Sequence, residues 1–312
     1  MKRLTYGIVG TGAIGGYYGA RLAHAGHEVH FLFHRDYEHV LQHGLEVNSC
    51  KGDFLLPHVN AYSDTRLMPP CDVVIVALKT VQNTLLPTLL PPLLRENTLV
   101  LLIQNGIGVE ADVQKRFPQL QLAAGLAFIC SAKTKPGVVD HMDFGSINLA
   151  NYSCTDEQQF QQLLTDFNEA RVEAHGMEYY EARWKKAVWN MPFNGMTVVH
   201  QTDTLSLLQN PLTRETIHAQ MLEVIHAAQA CGVERISEAF ADKMIETTLK
   251  MKPYSPSMKL DFDFHRPMEI EYLYTRPIQE AAAAGCHTPC LRKLEQELLL
   301  IQASSDRSKG EG

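Results

Sequence analysis

The hexapeptide Gly10-Thr11-Gly12-Ala13-Ile14-Gly15 constrains this chain more than any other feature. It directly follows an apolar run, Tyr6-Gly7-Ile8-Val9, and opens a helical stretch from Ile14 to Ala25. After Gly26 a second strand-like run extends from Glu28 to Phe33. Strand, glycine turn, helix and strand in this order are what a dinucleotide-binding fingerprint requires. Gly10 permits the tight turn, Gly12 lets backbone approach a pyrophosphate, and Gly15 lets the helix pack on the sheet. The helix N-terminus then offers N–H groups and a positive dipole end to the phosphates. A purely structural turn would share the glycine spacing; the flanks on both sides favour the nucleotide.

The end of the second strand selects the nucleotide. NAD sites usually carry Asp or Glu there, bonded to the ribose hydroxyls. Here Val29 to His34 leads into Arg35, with Asp36 just beyond. A guanidinium pairs with a 2′-phosphate through a charge-assisted fork, which favours NADP(H). The alternative is that Asp36 takes the ribose and Arg35 is solvated. A net charge of -7 argues against non-specific nucleic-acid binding and an anionic membrane surface. The cofactor phosphates must therefore be held by local positive charge.

The 312 residues suggest two domains. The first half alternates strands with helices. Asp72–Leu78 and Thr98–Ile103 are continuous apolar runs, as in parallel strands covered on both faces. Between them, 81–94 is helix-like but broken by Pro87, Pro91 and Pro92. Strands are expected at 121–130, 137–144 and 146–150, with a turn at Pro136-Gly137, and an amphipathic helix at 156–170. The reading is an α/β Rossmann domain over 1–177 with a doubly wound, mostly parallel sheet. An all-α domain follows over 178–303, where apolar residues such as Ile217, Met221, Ile225 and Ala228 recur at helical spacing. The polar tail 304–312 is expected to be disordered.

Seven scattered cysteines fit a reducing cytoplasm. Cys286 and Cys290 have no second ligand pair to close a zinc site, so no metal is expected. Lys2-Arg3 precedes an apolar stretch, but six glycines between Gly7 and Gly19, with Arg21, spoil a signal peptide. No apolar run reaches membrane-spanning length.

Chemistry concentrates in Trp184-Lys185-Lys186-Ala187-Val188-Trp189-Asn190-Met191-Pro192-Phe193-Asn194. Lys186, Asn190 and Asn194 share one helix face within roughly 80°. An amine and two amides in line on an otherwise apolar helix suggest a site; polar contacts along a domain interface are the plain alternative. Lys79 and Asn105 both follow strand ends, where ligands bind in open α/β sheets, although Asn105-Gly106 is also a common turn. Ser257 lies at a helix start or in a loop, and Glu269 opens an apolar helix, where it would also suit the helix dipole.

Taken together, these residues resemble the ketopantoate reductase (2-dehydropantoate 2-reductase) family. The motifs are Gly-Thr-Gly-Ala-Ile-Gly at 10–15, Leu78-Lys79, Gln104-Asn105-Gly106-Ile107-Gly108, Lys186…Asn190…Asn194, Ser257-Met258 and Glu269-Ile270. The resemblance runs from about residue 3 to 300 and implies an active site in a cleft between the two domains. It implies NADPH-dependent reduction of 2-dehydropantoate to pantoate, for pantothenate and coenzyme A synthesis. By resemblance, Lys186 is the general acid, and Asn190, Asn194 and Ser257 donate to the substrate. Asn105 touches substrate and nicotinamide, and Glu269 bonds cofactor or lysine. Arg35 and Lys79 are the cofactor's positive partners, with Ser131 a further cofactor contact. A homodimer through the helical domain is compatible with it.

There are departures. Gly195 follows Asn194 where the family commonly has Pro, and Pro192 lies inside the ladder. Tyr254 replaces an Asn, and Glu271 and Tyr274-Thr275 replace an Asp and an Asn-Gly. They leave the acid intact and bear on which 2-keto acid is used. Other readings are an NADP-dependent reductase of a different 2-keto acid, a β-hydroxyacid dehydrogenase, or a non-catalytic NADPH sensor. A sensor would need neither Lys186 nor its polar neighbours.

Overall fold

Residues 6–9, 73–76 and 99–102 are apolar without alternation, so as strands they need cover on both faces. In the computed structural model, which describes residues 3–310, they are buried central strands of a ten-stranded sheet. The strands are β1 (Thr5–Val9), β2 (Glu28–Leu32), β3 (Leu45–Ser49), β4 (Phe54–Leu56), β5 (Asn60–Tyr62), β6 (Val73–Val76), β7 (Leu99–Leu102), β8 (Gln121–Lys135), β9 (Val138–Asn151) and β10 (Ala174–Met177). Their order is β4-β3-β9-β8-β7-β6-β1-β2-β5, with β10 on β9. Only β3–β4 and β8–β9 are antiparallel. The connecting helices are α1 (Ala13–His24), α2 (Tyr37–His43), α3 (Leu86–Leu89), α4 (Val109–Arg116) and α5 (Glu157–Glu169).

Two strands expected at 137–144 and 146–150 are one strand, β9. Phe128 pairs with Ser146 and Ile129 with Phe144, which leaves Gly145 as a bulge at φ 99°. The glycine interrupts the sequence pattern without ending the strand. The three prolines between β6 and β7 split that connection into a 3-10 turn (Thr80–Leu85), α3 and a second 3-10 turn (Pro91–Leu93).

The second unit contains α6 (Tyr179–Val199), α7 (Thr204–Gln209), α8 (Pro211–Ala230), α9 (Ala239–Leu249) and α10 (Ser257–Asp263). A π-helical turn (Glu271–Thr275), α11 (Arg276–Ala283) and α12 (Pro289–Gly310) follow. Among the described residues no strand occurs after Met177. Ile217, Met221, Ile225 and Ala228 of α8 enter a core with Trp184, Val188, Phe193 and Leu294.

By compactness one unit holds residues up to Gln104 and Glu110–Tyr179, and the other holds Asn105–Val109 and everything from Tyr180. The sequence reading put the change at 177/178 and kept 105–109 in the first domain. Residues 105–109 group with the helices because the Ile107 N–H donates to the Tyr272 carbonyl (2.9 Å). The tail expected to be disordered from 304 is a correction: α12 runs through Gly310, and 311–312 lie outside the described residues. Bonds one turn apart carry the helix onward, Ser304 Oγ to the Leu300 carbonyl (2.9 Å) and Gln302 Nε2 to Asp306 (3.0 Å).

Candidate functional site

In the first unit, β1 lies between β2 and β6, so the strand order reverses there and opens a crevice at the strands' carboxyl ends. The glycine loop lies at that point. Gly10 has φ 98°, and a Cβ on it would lie 2.7 Å from the Leu78 nitrogen, so the loops after β1 and β6 touch. A Cβ on Gly15 would lie 2.3 Å from the Gly10 carbonyl oxygen. Gly12 differs: a Cβ there would meet nothing within 4 Å. The protein's own packing demands Gly10 and Gly15, while Gly12 keeps open space before the helix.

Gly12 is the N-cap of α1, whose first turn carries no acidic residue. The amides of Ala13 and Ile14 therefore open a helix end suited to phosphate. Thr11 Oγ1 donates to the Leu32 carbonyl (2.8 Å) and ties the loop to the end of β2. Lys79 is half-buried just beyond β6, and Gln104 Nε2 steadies that segment through the Leu78 carbonyl (2.8 Å) and Asn83 (2.7 Å). The Ser131 hydroxyl is buried without a hydrogen-bond partner. Arg35 is exposed. Asp36 is not open to a ribose in the way the alternative reading requires: Lys133 Nζ (2.5 Å) and the Gly137 amide (3.0 Å) both reach its Oδ2. An orphan hydroxyl, an open glycine and a basic strand end fit a phosphorylated dinucleotide.

The second unit assembles the polar ladder. Lys186, Asn190 and Asn194 are buried along α6, which continues unbroken through Pro192. Burial, and then the Arg183 guanidinium, lower the Lys186 ammonium from 10.5 to about 7, while the Glu269 carboxylate opposes the shift. Glu269 is itself buried, one residue before the helical turn that leads into the π-turn. Asn190 Nδ2 lies 3.5 Å from Asn105 Oδ1. Asn105 is held there because Gly106, at φ 101°, packs where a Cβ would be 2.4 Å from the Tyr272 carbonyl oxygen.

Asn194 is committed to the protein. Its Nδ2 donates to the Asn190 carbonyl (2.9 Å), and its Oδ1 accepts from the Met258 amide (3.0 Å) and faces Ser257 Oγ (3.5 Å). It thereby caps α10 from outside and fixes Ser257. Two departures from the family pattern touch each other. The Tyr274 hydroxyl donates to the Met191 carbonyl (2.5 Å) and lies 2.7 Å from where a Gly195 Cβ would be. The Tyr254 ring is 6.4 Å from the Trp189 ring, and its carbonyl accepts from Thr204.

Sequence reasoning missed Lys133 and Arg183. Arg183 was findable, being three residues before Lys186 on the same helix face. Lys133 had no local signal, since its partners lie about a hundred residues away. Among the described residues His27, Asp166 and Glu169 gather as a metal-binding group would. Asp166, however, already accepts from the Tyr6 hydroxyl and from Gln162 (2.6 Å).

Comparison with known proteins gives the same architecture. The family model described as Ketopantoate reductase PanE/ApbA matches residues 6–153, and its C-terminal counterpart matches 178–302. A 2-dehydropantoate 2-reductase of Nostoc sp. is 44% identical over 309 residues, 96% of each chain. The crystal structure of a Geobacter metallireducens 2-dehydropantoate 2-reductase is 38% identical with a TM-score of 0.91, covering 95% of this chain and 99% of that one. A D-mandelate dehydrogenase solved with NADH and anilino(oxo)acetate is 21% identical with a TM-score of 0.86, covering 97% and 99%, a likeness of fold alone.

Proposed function

The chain belongs to the ketopantoate reductase family, and on that footing we propose that it reduces 2-dehydropantoate to pantoate with NADPH. The observation that carries the reading is a buried lysine, Lys186, with two asparagines on its helix face and Glu269 acting on it. NADPH, when bound, supplies a hydride to the ketone carbon. The glycine loop and the amides of α1 hold its phosphates, with Arg35, Lys79 and Ser131 as further contacts. Negative charge then builds on the ketone oxygen, and the Lys186 ammonium stabilises it and gives up one proton. A lysine near pH 7 transfers that proton with little mismatch to the medium. Glu269 keeps part of the lysine population charged against the cost of burial. Asn105, Asn190 and Ser257 are donors for the substrate's carboxylate and hydroxyl oxygens. Asn194 serves by holding Ser257 and the Asn190 backbone.

Lys186→Ala tests this. Turnover should fall by about 10²–10⁴-fold while NADPH still binds, and near-normal turnover would remove Lys186 from the role. A sensor would lose nothing in the same variant.

A second reading, a different 2-keto acid, rests on Tyr254, Gly195 and Tyr274. The D-mandelate dehydrogenase shares the fold, so the fold does not choose the acid. None of the seven cysteines is in a disulfide, and a reducing, cytoplasmic setting is part of the proposal. Among the described residues no helix is long and apolar enough to cross a membrane. A homodimer through the helical unit is part of the proposal, and light scattering at about twice 35.0 kDa would support it.

A further inference from the structure

We propose that Lys133 sets the choice between NADPH and NADH by neutralising Asp36. The inference rests on the cofactor reading above and adds a residue to it. Three segments meet at the end of β2: the strand end itself, the glycine loop and the β8–β9 hairpin. Lys133 comes from the hairpin. Its Nζ is 2.5 Å from Asp36 Oδ2 and 2.8 Å from the Thr11 carbonyl oxygen, and it lies 5.7 Å from the Phe33 ring centroid. The Gly137 amide, from the hairpin turn, donates to the same Asp36 oxygen (3.0 Å). The lysine side chain is 24% exposed and the aspartate 14%. This is a sheltered pair, with its charges only partly screened.

A carboxylate at the end of the second strand is the ribose acceptor of an NAD site, and it repels a 2′-phosphate. Asp36 lies just beyond that strand end, next to Arg35, so left bare it would oppose the arginine beside it. Burial raises the Asp36 carboxyl, yet Lys133 and the Gly137 amide outweigh it and hold the group below its usual value. Asp36 therefore stays an anion across the physiological range. Its charge can be cancelled only by a cation, and Lys133 is in place to do it. With the pair closed, Arg35 is the uncancelled charge at the strand end, and that end is positive. With Lys133 removed, the same end is near neutral and presents a free acceptor to ribose hydroxyls.

The test is the dissociation constants of NADPH and NADH, read by cofactor fluorescence, for the full-length wild type, Lys133→Met, Lys133→Arg, Asp36→Asn and the double variant Lys133→Met/Asp36→Asn. Lys133→Met should weaken NADPH roughly tenfold or more relative to NADH, the effect of one uncancelled charge near a phosphate. Lys133→Arg should keep the wild-type ratio. The double variant should recover most of the lost NADPH preference, because the offending charge is gone. Equal loss of both cofactors in Lys133→Met, or no recovery in the double variant, would overturn the proposal, since Lys133 would then act only through the Thr11 carbonyl. The wild-type ratio separates the two levels. A wild type that prefers NADH contradicts the cofactor assignment itself, whereas a wild type that prefers NADPH with an unchanged ratio in Lys133→Met contradicts only the role of Lys133.

Discussion

Replacing Lys186 by Met should lift a pH-dependent cost of burial from the helical unit while it removes the proposed acid. The folded protein holds the lysine at about 7 against 10.5 when free, chiefly through burial. The unfolded chain thus binds the proton more tightly between those values, and stability rises with pH across that window. Below pH 7 the full cost of burying the charge is present, and it disappears as pH rises towards 10.5. At about 1.4 kcal/mol per unit, linkage gives a cost of roughly 4 kcal/mol at pH 7.5 and roughly 1 kcal/mol at pH 9.5. Met fills similar volume without charge, but it leaves the buried Glu269 carboxylate without the lysine that acts on it, so the pH dependence of the stability gap, not its sign, carries the test. The chain's two tryptophans, Trp184 and Trp189, flank Lys186 on α6, so their fluorescence reports unfolding of this region. Denaturant titrations of the cofactor-free wild type and Lys186→Met at pH 7.5, 8.5 and 9.5 give the stability gap between them. Groups that do not interact with Lys186 cancel. The gap should change by roughly 2–3 kcal/mol over this range, in the direction that favours the wild type as pH rises. A gap that does not change with pH would mean that Lys186 is not a strongly shifted lysine, and the reasoning would fail.

Three further outcomes follow from the geometry. Gly12→Ala should leave stability within about 0.5 kcal/mol and weaken NADPH binding, whereas Gly15→Ala, with its Cβ 2.3 Å from a carbonyl oxygen, should destabilise the fold; similar unfolding curves for the two would refute the distinction. Gly195→Ala places a Cβ 2.6 Å from Leu294 Cδ2 and 2.7 Å from the Tyr274 hydroxyl, and should cost about 1–3 kcal/mol, partly recovered by Tyr274→Phe; no loss in thermal or denaturant unfolding contradicts this packing. With Lys186 at about 7, kcat/KM for keto-acid reduction should fall about tenfold per pH unit above that point, and a rate flat to pH 9 argues for another proton donor.

The sequence carried those parts of the fold whose cause is local. The glycine loop was readable because Gly10 and Gly15 answer to contacts within one strand–turn–helix unit. The buried strands were readable from unbroken apolar runs. Strands β4 and β5, three residues each, and β10, four residues, offered too little pattern. The interruption at Gly145 was visible, but whether a strand ends or bulges there depends on β8, its neighbour. The Lys186–Asn190–Asn194 ladder followed from helical spacing alone. That Asn194 spends its amide on Met258 and Asn190 depended on α10, far along the chain. Lys133 was invisible for the same reason, and so was the contact of Tyr274 with position 195, which joins two substitutions that look independent in sequence.

The most direct test of the central claim is NADPH oxidation at saturating cofactor, with 2-dehydropantoate beside a panel of other 2-keto acids. Efficient turnover of 2-dehydropantoate above the rest is the expected result. Poor turnover of it, with another 2-keto acid turned over well, would contradict the substrate assignment and point to the surroundings of Tyr254, Gly195 and Tyr274. No oxidation with any keto acid would contradict the reductase itself.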